Sequence, residues 1–271
     1  MKIYDCFLFN DENHILEIRL NELNKYVDYF VIVEFGQNHQ GKIKGQKINS
    51  KLINKFGDKI RYYYIPKFDE KLNAWEKESF QRNQIEKGLL DARSEDIIII
   101  SDIDEIPKLN EFNFKNIGDW VYAFAQKHSM YKLNLFRANK KSFWIGSKLC
   151  KKKILKNPQW LRALKVQKKY SLFRIDKYFS KTYYSKFKII DDGGWHFGWL
   201  RNCDQIIEKI NSYAHTEHNI KIYNDRNYIQ NCIDRKISFL DSRDTLTLEK
   251  NIENLPKYIL KNFDKYSEWL A

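Results

Sequence analysis

The run Asp96-Ile97-Ile98-Ile99-Ile100-Ser101-Asp102-Ile103-Asp104-Glu105-Ile106-Pro107 constrains this chain more than any other stretch. Four consecutive isoleucines are too apolar and too β-branched for a surface strand. They predict a buried strand of a parallel sheet, covered on both faces. The strand ends in Asp102, Asp104 and Glu105, and Pro107 stops regular continuation. In open α/β sheets, ligands bind beyond the carboxyl ends of the strands. Two aspartates at i and i+2 on the loop leaving such a strand can share one hard cation through oxygen ligands. The plainer alternative is an acidic turn. An EF-hand loop does not fit, because its central glycine and final glutamate are missing.

Around this strand the chain alternates strand and helix. Residues 2–9 read as a first strand, with Asp5 and Asn10 near its end, followed by a helix over 12–24 with Ile15, Leu16, Leu20 and Leu23 at helical spacing. Residues 28–34 form a second strand ending in Glu34. A polar loop over 35–46 carries Gly36, Gly41 and Gly45 with Lys42 and Lys44, but its phosphate-loop signal is weak. A third strand over 59–65, a helix over 73–92 capped by Asn73, and the isoleucine strand complete the pattern of a doubly wound parallel sheet. After Pro107 the pieces shorten. Residues 120–125, 129–136 and 142–149 read as antiparallel strands rich in Tyr, Phe and Trp. Helices are expected over 202–214 and 225–239, then an amphipathic helical tail to residue 271 packing on the sheet. One domain over 1–271 is expected, with a nucleotide-sugar-binding half (1–107) and an acceptor-side half (108–271).

The formal charge of +13 is unevenly spread. Residues 127–188 hold 19 Lys/Arg against one acid, Asp176, so the basic surplus lies in this segment. Such a segment attracts polyanions: nucleic acid, an anionic membrane surface or a phosphate-bearing substrate. Its bland reading is solvated lysine in a chain rich in Lys, Asn and Ile. Apolar runs fall far short of the ~20 residues a membrane span needs. The N-terminus does not read as a signal peptide, and Cys6, Cys150, Cys203 and Cys232 show no Cys-x-x-Cys spacing. Together these suit reduced thiols and a cytoplasmic location.

Ile189-Ile190-Asp191-Asp192-Gly193-Gly194-Trp195-His196-Phe197-Gly198-Trp199 is the second unusual stretch. A glycine pair permits a tight bend, which can aim Asp192 and His196 into one cleft. For His196 alone a core histidine is the commoner outcome. The spacing of His215 and His218 suggests a metal site only weakly, with the single carboxylate of Glu217 between two histidines on a loop. The whole suggests a nucleotide-sugar transferase: a divalent cation held by two carboxylates offsets charge on the leaving diphosphate, aromatic faces stack on sugars, and a carboxylate takes the acceptor's proton. A nucleic-acid-binding protein is the alternative. Tyr131, Phe136, Phe143, Trp144, Tyr170 and Phe173 interleave the basic segment as base-stacking residues would. That reading leaves the acid-ended strand unexplained. A catalytically dead, lectin-like protein is a third.

The blocks Asp5-Cys6-Phe7-Leu8-Phe9-Asn10 and Leu16-Glu17-Ile18-Arg19-Leu20-Asn21-Glu22-Leu23, with residues 27–34, Gln81-Arg82-Asn83, residues 100–107, Gly194-Trp195-His196-Phe197 and residues 212–219, resemble glycosyltransferase family 17 in the family's order. That family contains the β-1,4-mannosyl-glycoprotein β-1,4-N-acetylglucosaminyltransferases. The resemblance implies a GT-A-like, Rossmann-type sheet with helices on both faces. It also implies a UDP-sugar donor, a glycan or glycoconjugate acceptor, Mn²⁺ or Mg²⁺, and inverting transfer of GlcNAc or another hexose. It makes Asp102, Asp104 and His196 metal ligands. Asp5, Glu34, Lys44, Arg82 and Asn83 become donor contacts, Asp192 the base with Glu217 second, and Trp195 and Trp199 acceptor platforms. No stable nucleic-acid partner is expected, peripheral contact with an anionic surface is allowed, and the oligomeric state is left open. Set against the animal Golgi enzymes, no membrane anchor is expected here, and the basic segment is a departure.

Overall fold

The alternation of side chains along the first strands sets the layers. In the computed structural model, which describes residues 1–38, 41–67, 72–138, 143–166, 186–211 and 221–271, β1 (Ile3–Phe9) pairs in parallel with β2 (Tyr29–Phe35) and with β4 (Ile97–Asp102), and β2 with β3 (Ile60–Ile65). Ile3, Phe7, Ile97 and Ile99 face a core that includes α1 (Asn13–Leu23). Tyr4, Cys6, Ile98 and Ile100 face the opposite core, beneath α3 (Ala74–Asn83) with its 3-10 extension Gln84–Leu89, and α4 (Pro158–Ala163). The four isoleucines are fully buried, as a strand covered on both faces requires. A short helix α2 (Ser50–Ile53) precedes β3.

Beyond β4 the sheet turns antiparallel. The order is β11-β7-β6-β8-β4-β1-β2-β3, with β8 (Phe143–Lys151) antiparallel to β4 and to β6 (Val121–Met130). β7 (Leu135–Arg137) and β11 (Leu246–Leu248) close that edge. The short strands β5 (Glu105–Pro107), β9 (Phe187–Ile190) and β10 (Gly194–Gly198) attach around β6, with β10 bridging β5 and β6. This is a mixed α/β sheet of Rossmann-like character, and it runs continuously through both halves of the chain. A third core packs α5 (Cys203–Ile210) and α6 (Arg226–Asp234) against Met130, Leu135 and Leu246. Among the described residues no helix is long and apolar enough to cross a membrane.

Several expected elements differ in detail. The helix expected over 73–92 leaves α geometry after Asn83, though Asn73 caps it in a full capping box with Glu76. The strands expected over 120–125 and 129–136 divide instead as the long β6 and the short β7. The tail is not one helix. Pro256 and the non-helical Asn262 break it into α7 (Lys257–Lys261) and α8 (Phe263–Tyr266). It packs mainly on α1: the Tyr258 hydroxyl and the Lys265 ammonium both donate to Glu17.

One buried charge ties these layers together. Arg19 lies on the sheet-facing side of α1, four residues from both Ile15 and Leu23, and is fully buried. Its guanidinium donates to both oxygens of Asp5 (2.8 and 2.6 Å) and to the Ser101 hydroxyl (3.0 Å). It also donates to the carbonyls of Asp102, Ile103 and Glu105 (3.1, 3.2 and 2.7 Å). The acid loop after β4 is thus held by its backbone from the α1 side. A buried pair cut on one side leaves an uncompensated charge, which typically costs about 3–5 kcal/mol. Arg19→Leu should therefore lower the urea-unfolding free energy by about that much, and Asp5→Leu/Arg19→Leu together should recover part of it. A loss below about 1 kcal/mol would mean that the pair is not what holds the loop.

Candidate functional site

The acids of the isoleucine strand open into a cavity of about 220 Å³, lined by residues that include Asn10, Glu12, Glu78, Arg82, Asp102, Asp104 and Lys209. It lies beyond the carboxyl ends of β1 and β4, where such sheets bind ligands. Because Ser101 faces α1, Asp102 faces the opposite layer. There Arg82 of α3 donates to its Oδ1 (2.9 Å) and Arg162 of α4 to its Oδ2 (2.6 Å). Burial alone would raise the Asp102 carboxyl, but Arg162 and Arg82 hold it well below the usual range. A second cavity, of about 450 Å³, shares Asn10 with the first and is lined by Lys42, Lys44 and Lys47.

Glu105 is buried and fully engaged. Its Oε1 accepts from Trp144 Nε1 (2.6 Å) and Arg162 (2.9 Å), and its Oε2 from the Asp102 amide (3.0 Å). Asp104 differs. Burial, reinforced by Glu105, Asp102 and Glu12 against the pull of Lys209, pushes its carboxyl up to about 7. His196 Nε2 lies 3.8 Å from Asp104 Oδ1. Trp195 and Phe197 point into the core, so His196 between them turns to the opposite side. Its ring stacks on His128 (4.1 Å between centroids) beside Trp144 (5.2 Å). Burial and the adjacent His128 keep His196 neutral, and burial with Arg137 pushes His128 down to about 3. Gly198 makes room for this pair, since a Cβ there would meet His128 Nε2 at 2.8 Å.

These donors fit a divalent cation only in part. Asp104 is a hard oxygen donor, and His196 is a neutral imidazole whose buried Nδ1 has no hydrogen-bond partner among the described residues. Asp102 has both oxygens on guanidinium groups. Among the described residues no group of three or more His, Cys, Asp or Glu is gathered to hold a metal. One carboxylate and one imidazole would leave most of a divalent cation's shell to other ligands.

The other expected site residues divide sharply. Asp5 has no exposed surface, and both its oxygens face Arg19, so it shapes the loop and offers no face to a nucleotide. Glu34 is also fully buried, accepting from the amides of Lys47 and Ile48 and from Tyr62 Oη. It fixes the loop that presents Lys44, whose Nζ donates to the Asn10 carbonyl (2.7 Å). Asn83 accepts from the Gln159 amide and joins α3 to α4. Trp195 belongs to the core and donates to the Asn254 carbonyl (2.7 Å). Trp199 packs edge-on against Phe239. The expectation that one bend aims Asp192 and His196 together is not met. Asp192 sits in the turn before β10, exposed and paired with Lys108 (2.5 Å), and does not line the cavity. The bend itself is real: Gly194 has φ +123°, and a Cβ there would meet the Ile106 carbonyl at 2.2 Å. Glu217 lies outside the described residues.

Arg162, His128 and Lys209 join the site without having been singled out in the sequence. Arg162 is hidden among the lysines of the basic segment, and His128 lies in a strand with no motif around it. Arg19 did leave a trace, as a lone charge within the apolar stripe of α1. In the basic segment, Lys151 and Lys153 pair with Glu95 and Asp119, and Lys148 points inward. Tyr170, Phe173 and six of the segment's other lysines (Lys140, Lys141, Lys168, Lys169, Lys177 and Lys181) lie outside the described residues.

Residues 1–152 match the family model for glycosyltransferase family 17. Over 291 aligned residues the chain is 23% identical to the beta-1,4-mannosyl-glycoprotein 4-beta-N-acetylglucosaminyltransferase of Homo sapiens, and equally so to those of Rattus norvegicus and Mus musculus. The alignments cover 98% of this chain and 54% of each relative, so the chain spans about half the length of the curated relatives it matches. With more than half of its residues matched by the family model, this chain belongs to glycosyltransferase family 17.

Proposed function

We propose that the protein is a glycosyltransferase with a GT-A-type fold that moves a sugar, GlcNAc foremost, from a UDP-sugar to a hydroxyl of a glycan or glycoconjugate with inversion. The observation that carries this reading is the acid-and-arginine cavity at the ends of β1 and β4, built almost wholly from the family-matched segment and adjoining a lysine-lined cavity. A nucleoside diphosphate needs cationic groups along its phosphates, which Arg82 and the lysines of the adjoining cavity offer. As the glycosidic bond breaks, negative charge grows on the β-phosphate, and fixed positive groups in a partly dry cleft stabilise it. Asp104 and His196 would hold a divalent cation, which supplies Lewis-acid stabilisation of that leaving group. Asp102 acts in this scheme by holding Arg82 at the cleft. Of the two expected bases, Asp192 is tied to Lys108 away from the cavity, and Glu217 is carried forward. Trp144, with 40% of its surface exposed beside His196, takes the place of Trp195 as the acceptor platform.

The cation assignment has a pH signature. Asp104 must lose its proton to become a ligand, and its carboxyl is raised to about 7. Mn²⁺ affinity measured by calorimetry should therefore rise by up to about tenfold per pH unit below that value and level off above it. Asp104→Asn should abolish this slope and most of the affinity, whereas Asp102→Asn should weaken Mn²⁺ binding far less. Equal losses in the two variants would return Asp102 to the ligand set.

The acceptor side is tested at Trp144. Trp144→Ala should raise the acceptor KM about tenfold or more while leaving the UDP-sugar KM nearly unchanged, because it removes a stacking face worth about 1–2 kcal/mol. Trp144→Phe keeps a ring but loses the hydrogen bond to Glu105, and should recover most of the acceptor affinity. A rise confined to the donor KM would remove Trp144 from the acceptor side.

A further inference from the structure

Arg162 and Lys148 take no direct part in the transfer as proposed, yet they are among the most firmly placed charges near the cleft. Arg162 Nη2 bridges Asp102 Oδ2 (2.6 Å) and Glu105 Oε1 (2.9 Å). Glu105 Oε2 in turn accepts from the Asp102 amide, so this one guanidinium fixes both ends of the turn that carries Asp104. The helix bearing Arg162 is anchored twice. At its start, Asn157 caps it (2.7 Å from Trp160 N), and the Gln159 amide and side chain bond to Asn83 and Arg82 of α3 (3.0 and 2.7 Å). Near its end, Lys148 Nζ donates to the Arg162 carbonyl (2.5 Å).

Lys148 is the unexpected member. It stands in β8 opposite Ile100, on the face covered by α4, and is 3% exposed. Burial, with the positive charge of Arg162 adding to it, pushes the amine down to about 7. Packing alone does not call for an amine there. Methionine has similar length, fills such a site and avoids the desolvation cost of a buried ammonium. What an amine adds is a hydrogen bond to the backbone of the residue whose side chain reaches the cleft.

We infer that Arg162 is a positioning residue that sets Asp102 and Glu105, and through them the turn bearing Asp104, and that Lys148 acts by fixing Arg162. The inference rests on the proposed nucleotide-sugar site for its kinetic consequences but not for its structural one.

The test is a double-mutant cycle on Lys148→Met and Arg162→Gln, read by UDP calorimetry, by transfer kinetics with UDP-GlcNAc and by urea unfolding. Arg162→Gln should lower kcat about tenfold or more with the acceptor KM within about twofold, and Arg162→Lys should restore part of the loss. Lys148→Met should act in the same direction, by about threefold, and should add almost nothing once Arg162 is already Gln. Full additivity of the two substitutions, or an Arg162→Gln enzyme within about twofold of wild type, overturns the inference. If Arg162→Gln does not fold, Arg162→Lys carries the same cycle. A wild-type protein that binds no UDP contradicts the proposed function; the Lys148–Arg162 link is then read from Lys148→Met alone, whose urea-unfolding midpoint should fall, an unchanged or raised midpoint overturning it.

Discussion

The site depends on Arg19. A guanidinium with no exposed surface is tolerated only where charge and donors are met, and here one carboxylate, one hydroxyl and three carbonyls meet them. The carbonyls belong to Asp102, Ile103 and Glu105, the residues that turn the chain out of β4. Their backbone is held from the α1 side, while the carboxylates of Asp102 and Glu105 are held from the other, by Arg82 of α3 and Arg162 of α4. The period of two along β4 makes this division: Ser101 faces one layer and Asp102 the next. An acid loop that would otherwise be a mobile turn is thereby clamped between both layers of the sheet.

The clamp sorts three neighbouring acids into different states. Asp102 is held ionised by two arginines. Glu105 is raised by burial, opposed by Arg162, and its oxygens are fully engaged. Asp104 lacks such a guanidinium and titrates near neutrality. Glu12 marks the boundary of the cavity; burial favours its neutral form, but Arg201 and Lys209 hold it ionised. Low dielectric strengthens each of these pairings, and it also makes the one carboxylate held less strongly ready to take up positive charge. The result is a cleft in which fixed cations stand close to an acid that no guanidinium holds, the arrangement that the proposed diphosphate and divalent ion would use.

Periodicity carried the sequence reading furthest where the chain is regular. β1, β2, α1 and the isoleucine strand fall close to where their patterns place them, because the strands are almost wholly buried and α1 buries one clear apolar stripe. The roles of individual acids were harder to read. Asp5 and Glu34 sit at strand positions that point into the α1 layer, and burial assigns them to Arg19 and to backbone amides. A tryptophan next to a glycine pair looks like a sugar platform, but Trp195 alternates into the core with Phe197. Asp192 and His196 are close in sequence yet separated by the extended start of β10. Arg162 and His128 reach the cleft through long-range pairing of β6, β8 and α4, which no local spacing encodes.

The most direct test of a nucleotide-sugar transferase built on this cleft is UDP release from a panel of UDP-sugars, with Mn²⁺ and with excess EDTA. Release is expected with Mn²⁺, greatest for UDP-GlcNAc, rising when a glycan acceptor is added and collapsing in EDTA. No release from any donor, together with tight, salt-sensitive binding to DNA or heparin, would contradict it.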